Sequence, residues 1–415
     1  MHSFRLHNAS LPGRPGSYDF TVADGHWETI EPTPAVVPSD SLPTYDLGGR
    51  LLSAPFVDAH FHLDSVLTRL PNQSGTLREG IENWGTYKRE QLSAEDVYRR
   101  ATAYCERALA HGIQAIRSHV DVSDPRLLGV EALLQVREEW RDRITVQLVA
   151  FPQDGFYATP EAEGLLLRAL DRGLDVVGGI PHHERTTELG RQSLLRLFDI
   201  AEERGLPLDF HCDESDDPHS RHVETVAEET RRRGLGGRVV VSHVTSSAMM
   251  DPYYLHRKLL PLVADAGLHL VVNPRINVHL GGHFHHPAPR AMAPIKDFLA
   301  AGVNVACAQD CNEDPWYPLG DADLLDVARV GAHLGHMMGR EELTTLFASV
   351  TTRAAWAIGL DREPLRPGQP AHAILLAASD PLEALRTAAH PLAVLRHGEW
   401  VVPPPAAACP SGPTA

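Results

Sequence analysis

The chain has 415 residues, of which 43% are hydrophobic and 22% charged, a composition typical of a large folded domain with a smaller unit attached. Its 54 acidic and 38 basic side chains give a formal net charge of -16, which disfavours a surface for nucleic-acid phosphates or anionic lipid. A neutral or cationic small molecule suits this charge better as a partner.

The cysteines and the N-terminus indicate where such a protein would work. The five cysteines include no CxxC pair, so the sequence predicts neither a disulfide framework nor a structural zinc knuckle. The N-terminus lacks an apolar signal core, and no stretch approaches the ~18 consecutive apolar residues of a membrane helix. We therefore expect a cytoplasmic protein with no membrane and no nucleic-acid partner.

The two ends of the chain differ from its middle in composition and in residue pattern. Residues 1–52 are rich in Pro, Gly, Ser and Thr and carry short alternating patches, which predict brief strands and turns. After a Pro-rich stretch, the segments AHAILLAAS and LAVLRHGEWVV predict strands that return to pair with the N-terminal ones. We predict a small composite β domain from residues 1–52 and 366–403. Residues 404–415, with Cys409, are predicted to be a disordered tail.

Between these ends, short apolar runs alternate with longer amphipathic segments, the pattern of repeated βα units. Eight apolar runs occur, at residues 55–64, 114–121, 144–153, 176–182, 206–214, 239–245, 268–273 and 303–310. Eight parallel βα units close into a barrel. The sequence thus predicts an α/β protein with a (β/α)8 TIM-like barrel over residues 53–365 and a small discontinuous β domain formed by both termini.

Polar side chains able to bind a metal recur at the ends of the predicted strands, where barrel enzymes place their active sites. His60 and His62 are two residues apart on one strand, so both imidazoles point to the same side. His211 ends the fifth strand, His243 the sixth and Asp310 the eighth. Three imidazoles and one carboxylate, with a position left for water, would hold one divalent cation: zinc or iron, with manganese also admissible.

In this order, the residues resemble the amidohydrolase superfamily and, within it, the bacterial cytosine deaminases. The likeness extends over nearly the whole chain, through the segments PFVDAHFHLD, NQSGTLREGIENW, SHVDVSD, VAFPQDG, DVVGGIPH, FHCDESDD, SRHVETVA, NPRINVHL and DPWYPLG. The resemblance implies hydrolytic deamination of a cytosine-like nucleobase by a metal-dependent homo-oligomer.

The resemblance also implies a role for each matched side chain. The metal ligands of the family match His60, His62, His211 and Asp310. His243 matches a histidine outside the ligand set that orients and deprotonates the metal-bound water. Glu214 matches the glutamate that protonates the ring nitrogen beside the attacked carbon and later helps protonate the leaving amine. Asp310 shares the catalytic proton transfers with it.

Four further residues are predicted to face the substrate. Gln153 matches the amide that recognises the carbonyl edge of the base. Trp316 matches an aromatic near the pocket of the family and would pack against the planar base, although a role as a capping core residue explains it equally well. Leu77 is predicted to border the pocket, with loop packing as the alternative. The histidines from His279 to His286 are predicted to belong to a solvated loop or lid rather than to a second metal site.

The remaining pocket residue, Cys311, is a departure from the family pattern. The cytosine deaminases have two consecutive aspartates at the end of the eighth strand, whereas here Asp310 is followed by Cys311. A thiol removes charge and polar bulk, so we hypothesise that the enzyme accepts 5-methylcytosine, with or without cytosine. Neutral variation at a tolerant position is the alternative. Isoguanine, isocytosine, a triazine or a creatinine-like ring remain alternative substrates, and a non-catalytic binding barrel is a more distant one.

Overall fold

The computed structural model describes residues 3–35 and 42–405. Its strands within these ranges are β1 (Phe4–Leu11), β2 (Arg14–Ala23), β3 (His26–Pro32), β4 (Thr44–Asp46), β5 (Leu51–Ser53), β6 (Phe56–Phe61), β7 (Ile113–Asp121), β8 (Thr145–Phe151), β9 (Val176–Gly179), β10 (Leu208–Cys212), β11 (Val239–His243), β12 (His269–Val272), β13 (Asn304–Cys307), β14 (Ala373–Leu376), β15 (Pro391–Arg396) and β16 (Glu399–Val402).

The α-helices of the same ranges are α1 (Leu77–Glu90), α2 (Ala94–Ala110), α3 (Leu128–Trp140), α4 (Ala162–Asp171), α5 (Thr187–Arg204), α6 (His222–Arg233), α7 (Pro252–Tyr254), α8 (Leu260–Asp265), α9 (Pro274–Leu280), α10 (Ile295–Ala300), α11 (Leu324–Leu334), α12 (Arg340–Ser349), α13 (Thr352–Ala357) and α14 (Pro381–Thr387). A π-helical stretch (Leu255–Leu259) joins α7 to α8. None of the described helices is both long and apolar enough to span a membrane.

Strands β6 to β13 pair in chain order, and each pair is parallel. The sheet closes where the segment after β13 meets β6: the backbone N–H of Asp310 donates to the carbonyl of His60 at 2.9 Å, and that of His62 donates to the carbonyl of Asp310 at 3.1 Å. Each predicted apolar run coincides with one strand, and the predicted (β/α)8 barrel is confirmed.

The barrel strands are apolar because both faces are covered. Their outer faces pack against the helices in one large core, to which Ile116, Leu148 and Phe198 belong. Inside the barrel, small and β-branched side chains fill the lower end. This end is closed by Ala354 of α13 and by Ile358, which follows the helix. The opposite, carboxyl-terminal end is left for polar side chains.

A second sheet joins both ends of the chain, in the order β16-β15-β14-β5-β1-β2-β3 with β4 on β1. Its own core includes Leu6, Phe20, Trp27, Leu375 and Leu395. The predicted discontinuous β domain is therefore confirmed, while its boundaries at residues 52 and 366 remain a prediction. Most of the predicted tail, residues 406–415 with Cys409, lies outside the described residues.

Helix α1 lies between the barrel and the loop that follows β13. At its first turn, Gly80 allows Trp316 to approach so closely that a β-carbon there would lie 2.5 Å from the indole Cδ1. At its last turn, Lys88 is buried and donates from Nζ to Asp121 and Asp154, each at 2.8 Å. Because Asp154 follows Gln153, this ion pair ties α1 to the loop after β8.

We predict that Lys88→Met strongly destabilises the protein. Asp121 would keep only the indole N–H of Trp84 and a backbone N–H as donors, and breaking a buried ion pair by removing one partner typically costs ~3–5 kcal/mol. Arg78→Met on the same helix is the matched control, because its pair with Glu82 is exposed and contributes at most ~0.5 kcal/mol. Thermal and urea unfolding of both variants test this; equal losses would contradict the role of Lys88.

Candidate active site

Four of the predicted side chains converge at the closing seam of the barrel. The ligand atoms of His60, His62, His211 and Asp310 all lie within 4.8 Å of one another, and all four residues are buried. Nε2 of His62 is 3.1 Å from Nε2 of His211, and Oδ1 of Asp310 is 3.3 Å from Nε2 of both His60 and His62. Atoms that share one tetrahedral cation at ~2.0–2.1 Å lie about 3.3 Å apart.

An unpartnered nitrogen and a lowered histidine pKa also suit a metal at this cluster. Nε2 of His60 is buried and makes no hydrogen bond to the described residues, although a carboxylate oxygen lies nearby. Burial lowers the pKa of His211 well below its ordinary value, and the neighbouring imidazoles lower it further. A neutral imidazole with a free nitrogen is the form that binds a cation. The residues present therefore fit one divalent metal ion.

A second group of side chains adjoins this cluster. Glu214, His243 and Asp310 also have ligand atoms within 4.8 Å of one another. Nδ1 of His243 is 3.2 Å from Oε1 of Glu214, and its Nε2 is 3.8 Å from Oδ2 of Asp310. Asn277 on α9 donates from Nδ2 to Nδ1 of His243 at 2.9 Å, while its Oδ1 accepts the backbone N–H of Asn273. The imidazole is thus fixed between the two carboxyl groups.

The backbone is strained where these side chains leave their strands. His243 has a φ of 69° and Asp310 a φ of 67°, in the left-handed region that non-glycine residues rarely adopt. Such conformations cost about 1–3 kcal/mol each and persist only where the surrounding structure enforces them. They turn the two side chains toward the common centre.

The loop that carries Glu214 is anchored by its neighbour Asp213. The Asp213 carboxylate accepts hydrogen bonds from the hydroxyl of Ser220, the ring and backbone N–H of His222 and the backbone N–H of Val223. Although burial would raise the pKa of Asp213, these contacts lower it to about 2. Asp213 is therefore an ionised anchor at the start of α6, and it holds Glu214 at the pocket.

The two carboxyl groups of the site are placed in opposite electrostatic environments. Burial raises the pKa of Glu214 well above its ordinary value, and the negative charge of Asp310 raises it further. Burial alone would also raise the pKa of Asp310, but His60, His62 and His243 hold it well below its ordinary value. The site therefore favours the protonated form of Glu214, which can donate a proton, and the ionised form of Asp310.

A cavity of about 80 Å³ opens onto these groups. A buried water needs ~10–15 Å³, so the space accommodates a small single ring rather than a large ligand. The structure brings together here all the remaining predicted pocket residues, which are Leu77, Gln153, Cys311 and Trp316. Their contacts with substrate remain a prediction.

The same cavity is lined by side chains that the sequence interpretation missed: Ile81, Ile180, His182, His183, Ile276 and Leu280. Helical spacing could have found two of them, because Ile81 lies four residues after Leu77 on α1 and Leu280 follows Ile276 by four on α9. His182 and His183 follow β9, at the same end of the barrel as the other site residues. In a chain with 24 histidines, that position alone was a weak signal.

Cys311 lies beside Asp310 and lines the same cavity as the metal-compatible cluster. Its side chain is buried, and Sγ is 3.7 Å from Oδ1 of Asp310. Burial raises the pKa of the thiol well above its ordinary value, and the charges of Asp310 and Asp314 add to this effect. Cys311 is therefore a neutral, compact wall of the pocket, and it is not a thiolate nucleophile.

A wider vestibule of about 780 Å³ lies outside the inner cavity and shares five lining residues with it: Leu77, Ile81, His183, Glu214 and Leu280. His283 and the almost fully exposed Phe284 stand at its rim. His279 packs against Tyr317, with ring centroids 5.9 Å apart. Among the described residues, the groups that could hold a metal include none of the histidines from His279 to His286. The loop lies at the mouth of the pocket, and its function as a lid remains a prediction.

The comparisons with known proteins agree with this geometry. A family model described as the amidohydrolase family matches residues 43–402. The structure of 5-methylcytosine deaminase from Klebsiella pneumoniae, solved with 5-fluorocytosine, is 38% identical, with a TM-score of 0.93 and coverage of 96% of this chain and 97% of that chain. Pterin deaminase of Rhizobium rhizogenes is 30% identical over 400 residues (92% and 87% of the two chains). N-isopropylammelide isopropyl amidohydrolase of Pseudomonas sp. (strain ADP) is 29% identical over 406 residues (96% of each).

We predict that His62→Asn loses most of the bound divalent metal, because it removes a nitrogen that faces both His211 and Asp310. His183→Asn is the control, since His183 lines the cavity without belonging to a group that could hold a metal within the described residues. Both proteins would be expressed in metal-supplemented medium, dialysed, and assayed for metal by elemental analysis. Equal metal content in the two variants would contradict the assigned cluster.

Proposed function

The chain belongs to the amidohydrolase family and is a hydrolase of C–N bonds in nitrogen heterocycles, and we propose that its substrate is a cytosine-like base, cytosine or 5-methylcytosine. The observation that carries the proposal is the inner cavity, where Gln153 and Glu214 face the metal-compatible cluster in a space for one small ring. The 38% identity with the Klebsiella 5-methylcytosine deaminase over 96% of this chain supports the same substrate class.

In the proposed reaction, water adds to the ring carbon that carries the amino group, and the C–N bond to that group then breaks. When bound by His60, His62, His211 and Asp310, a divalent cation would lower the pKa of a coordinated water from 15.7 to about 7. The identity of that cation, zinc, iron or manganese, belongs to the proposal.

The proton transfers are assigned to the chain's own side chains. Asp310 takes the proton of the attacking water, and His243, whose Nδ1 accepts from Asn277, orients that water through its Nε2–H. Protonated Glu214 donates to the ring nitrogen beside the attacked carbon, so that negative charge does not accumulate there. The proton taken from water is then delivered to the departing amino group, which leaves as ammonia, and the proton of the added hydroxyl returns to Glu214 as the carbonyl forms. Gln153 receives the role of holding the carbonyl edge of the base.

Cys311 is proposed to set the tolerance for a methyl group at ring position C5. The neutral thiol presents no charge to this edge of the ring, whereas an aspartate there would be charged and strongly hydrated. One methyl-sized group in an apolar pocket changes discrimination by ~1–3 kcal/mol. A preference for 5-methylcytosine over cytosine therefore lies within what a single wall residue can produce.

The outer vestibule favours a second candidate, a larger heterocycle. Pterin deaminase and N-isopropylammelide isopropyl amidohydrolase are curated relatives at 30% and 29% identity, and a fused ring or an alkyl substituent could extend from the inner cavity into the vestibule. The small volume of the inner cavity argues for the single ring, because the reacting carbon must reach Glu214 and the metal-compatible cluster.

We predict that purified enzyme reconstituted with zinc, iron or manganese releases ammonia from cytosine or 5-methylcytosine. The substrate panel also contains isocytosine, isoguanine, pterin and N-isopropylammelide, with loss of the ring absorbance as a second readout. Glu214→Gln is the control: it preserves shape but removes the donated proton, and we expect kcat to fall at least ~100-fold. Turnover of pterin or N-isopropylammelide alone would replace the proposed substrate, and turnover in Glu214→Gln at the parent rate would refute the proton-transfer assignment.

We further predict that Cys311→Asp shifts the ratio of kcat/KM for 5-methylcytosine over cytosine downward by at least ~10-fold, because a hydrated carboxylate would exclude the methyl group. Cys311→Ser is the matched variant, since it keeps the small neutral side chain, and we expect it to retain the parent preference. The ratio is measured with both bases in competition. An unchanged ratio in Cys311→Asp would show that this wall does not contact the C5 edge.

A further inference from the structure

A chain of buried polar side chains leads from the metal-compatible cluster toward the closed end of the barrel. Nδ1 of His60 lies 2.8 Å from the hydroxyl of Ser242 on β11. That hydroxyl donates to Oδ1 of Asp209 on β10 at 3.4 Å, and Oδ2 of Asp209 accepts from Nη1 of Arg117 on β7 at 3.0 Å. All four side chains are at most 3% exposed.

The direction of each hydrogen bond follows from the chemistry of the groups. Arg117 is permanently charged, and the carboxylate paired with it is an acceptor only. The single hydrogen of the Ser242 hydroxyl therefore points to Asp209, and its lone pairs accept the N–H of His60. This places the hydrogen of a neutral His60 ring on Nδ1 and leaves Nε2 with a free lone pair, 3.3 Å from Oδ1 of Asp310.

Asp209 contacts one further side chain, and its partner Arg117 is itself held by other groups. Nε2 of His119 lies 3.3 Å from its Oδ1, while Nδ1 of His119 has no partner among the described residues. Arg117 uses its other donors on the side chain of Gln147 at 3.0 Å and on the carbonyl of Ile358 at 3.1 Å. Because Ile358 follows α13, Arg117 connects the Asp209 carboxylate to the closed end of the barrel and restricts its movement.

Stability alone does not account for this arrangement. A fully buried ion pair is often no more stable than well-packed apolar residues of the same volume, because both charges must be desolvated. The interior of the barrel immediately below is filled by Val240, Val271 and other small apolar side chains. An apolar layer at Ser242 and Asp209 would therefore have been compatible with the fold, and their polarity requires another explanation.

From this geometry we propose that Ser242 and Asp209 are positioning residues for the metal site: through the serine hydroxyl, the carboxylate fixes the tautomer and orientation of the ligand His60. The inference rests on the proposed role of His60 in metal binding. Histidine ligands commonly donate their second N–H to a carboxylate or carbonyl, and loss of that partner costs 10–100-fold in metal affinity. Here the hydroxyl of Ser242 lies between the imidazole and the carboxylate.

The test is the metal affinity of the apo-protein, measured by competition with a chromogenic chelator for zinc. We expect Ser242→Ala to weaken binding by ~10–100-fold and Asp209→Asn to weaken it as well. Ser193→Ala is the matched control, because that hydroxyl is equally buried but bonds the carbonyl of Gly190 within α5. We expect the Ser242→Ala/Asp209→Asn double variant to bind zinc about as tightly as the single variant with the lower affinity, because both changes interrupt the same chain of hydrogen bonds.

Two further readouts separate positioning from folding. The thermal unfolding of each apo-protein shows whether the fold survives, and the absorption bands of the cobalt-loaded protein report the geometry around the metal. Weaker zinc binding and altered cobalt bands in Ser242→Ala, with the apo-protein unfolding as the parent does, would support the proposal. Parent-like zinc affinity in Ser242→Ala would overturn the proposal. A loss of thermal stability that is the same with and without zinc, at unchanged zinc affinity, would also overturn it.

Failure of the proposed function would look different. Zinc affinity is measured without any base, so a protein that binds zinc through His60 but deaminates none of the bases would refute the substrate assignment alone. If His60→Ala instead binds zinc as the parent does, the metal site itself is wrong, and the role of Ser242 and Asp209 falls with it.

Discussion

The closure of the barrel is the constraint on which the rest of the site depends. Two backbone hydrogen bonds join β6 to the segment after β13, and the residues that make them are His60, His62 and Asp310. The first and last strands of the barrel thus meet at three side chains of the metal-compatible cluster. A change that opened this seam would separate the ligands, so the integrity of the fold and the geometry of the site are one property.

Around this seam, three buried charged groups are compensated locally. Lys88 is paired with Asp121, Arg117 with Asp209, and the Asp213 carboxylate is saturated by N–H and O–H donors. At the site itself, Nε2 of His60 and Nδ1 of His211 are buried without a hydrogen-bond partner among the described residues, where a metal would bind. The site is therefore built from imidazoles and two carboxyl groups with opposite pKa shifts, held in place by charges that are satisfied elsewhere.

Much of this could be read from the chain alone. The eight buried strands are continuous apolar runs, because helices cover one face and the barrel interior the other, and this pattern is local in sequence. The position of His60, His62, His211, His243 and Asp310 at strand ends was equally visible, since the barrel topology fixes which end of each strand carries the site. The departure of Cys311 from the family pattern was also visible in the sequence, and its place beside Asp310 followed because the two residues are consecutive.

The tertiary structure decided what no local pattern encodes. That Lys88 ties α1 to the loop of Gln153, that Asn277 fixes His243, and that Ser242 stands between His60 and Asp209 depend on residues far apart in sequence. The opposite pKa shifts of Glu214 and Asp310 have the same origin, because burial and neighbouring charges exist only after folding. The sequence determined which chemical groups the barrel would present at its open end; only their packing determined which are protonated, which are held rigid, and how large a ring fits between them.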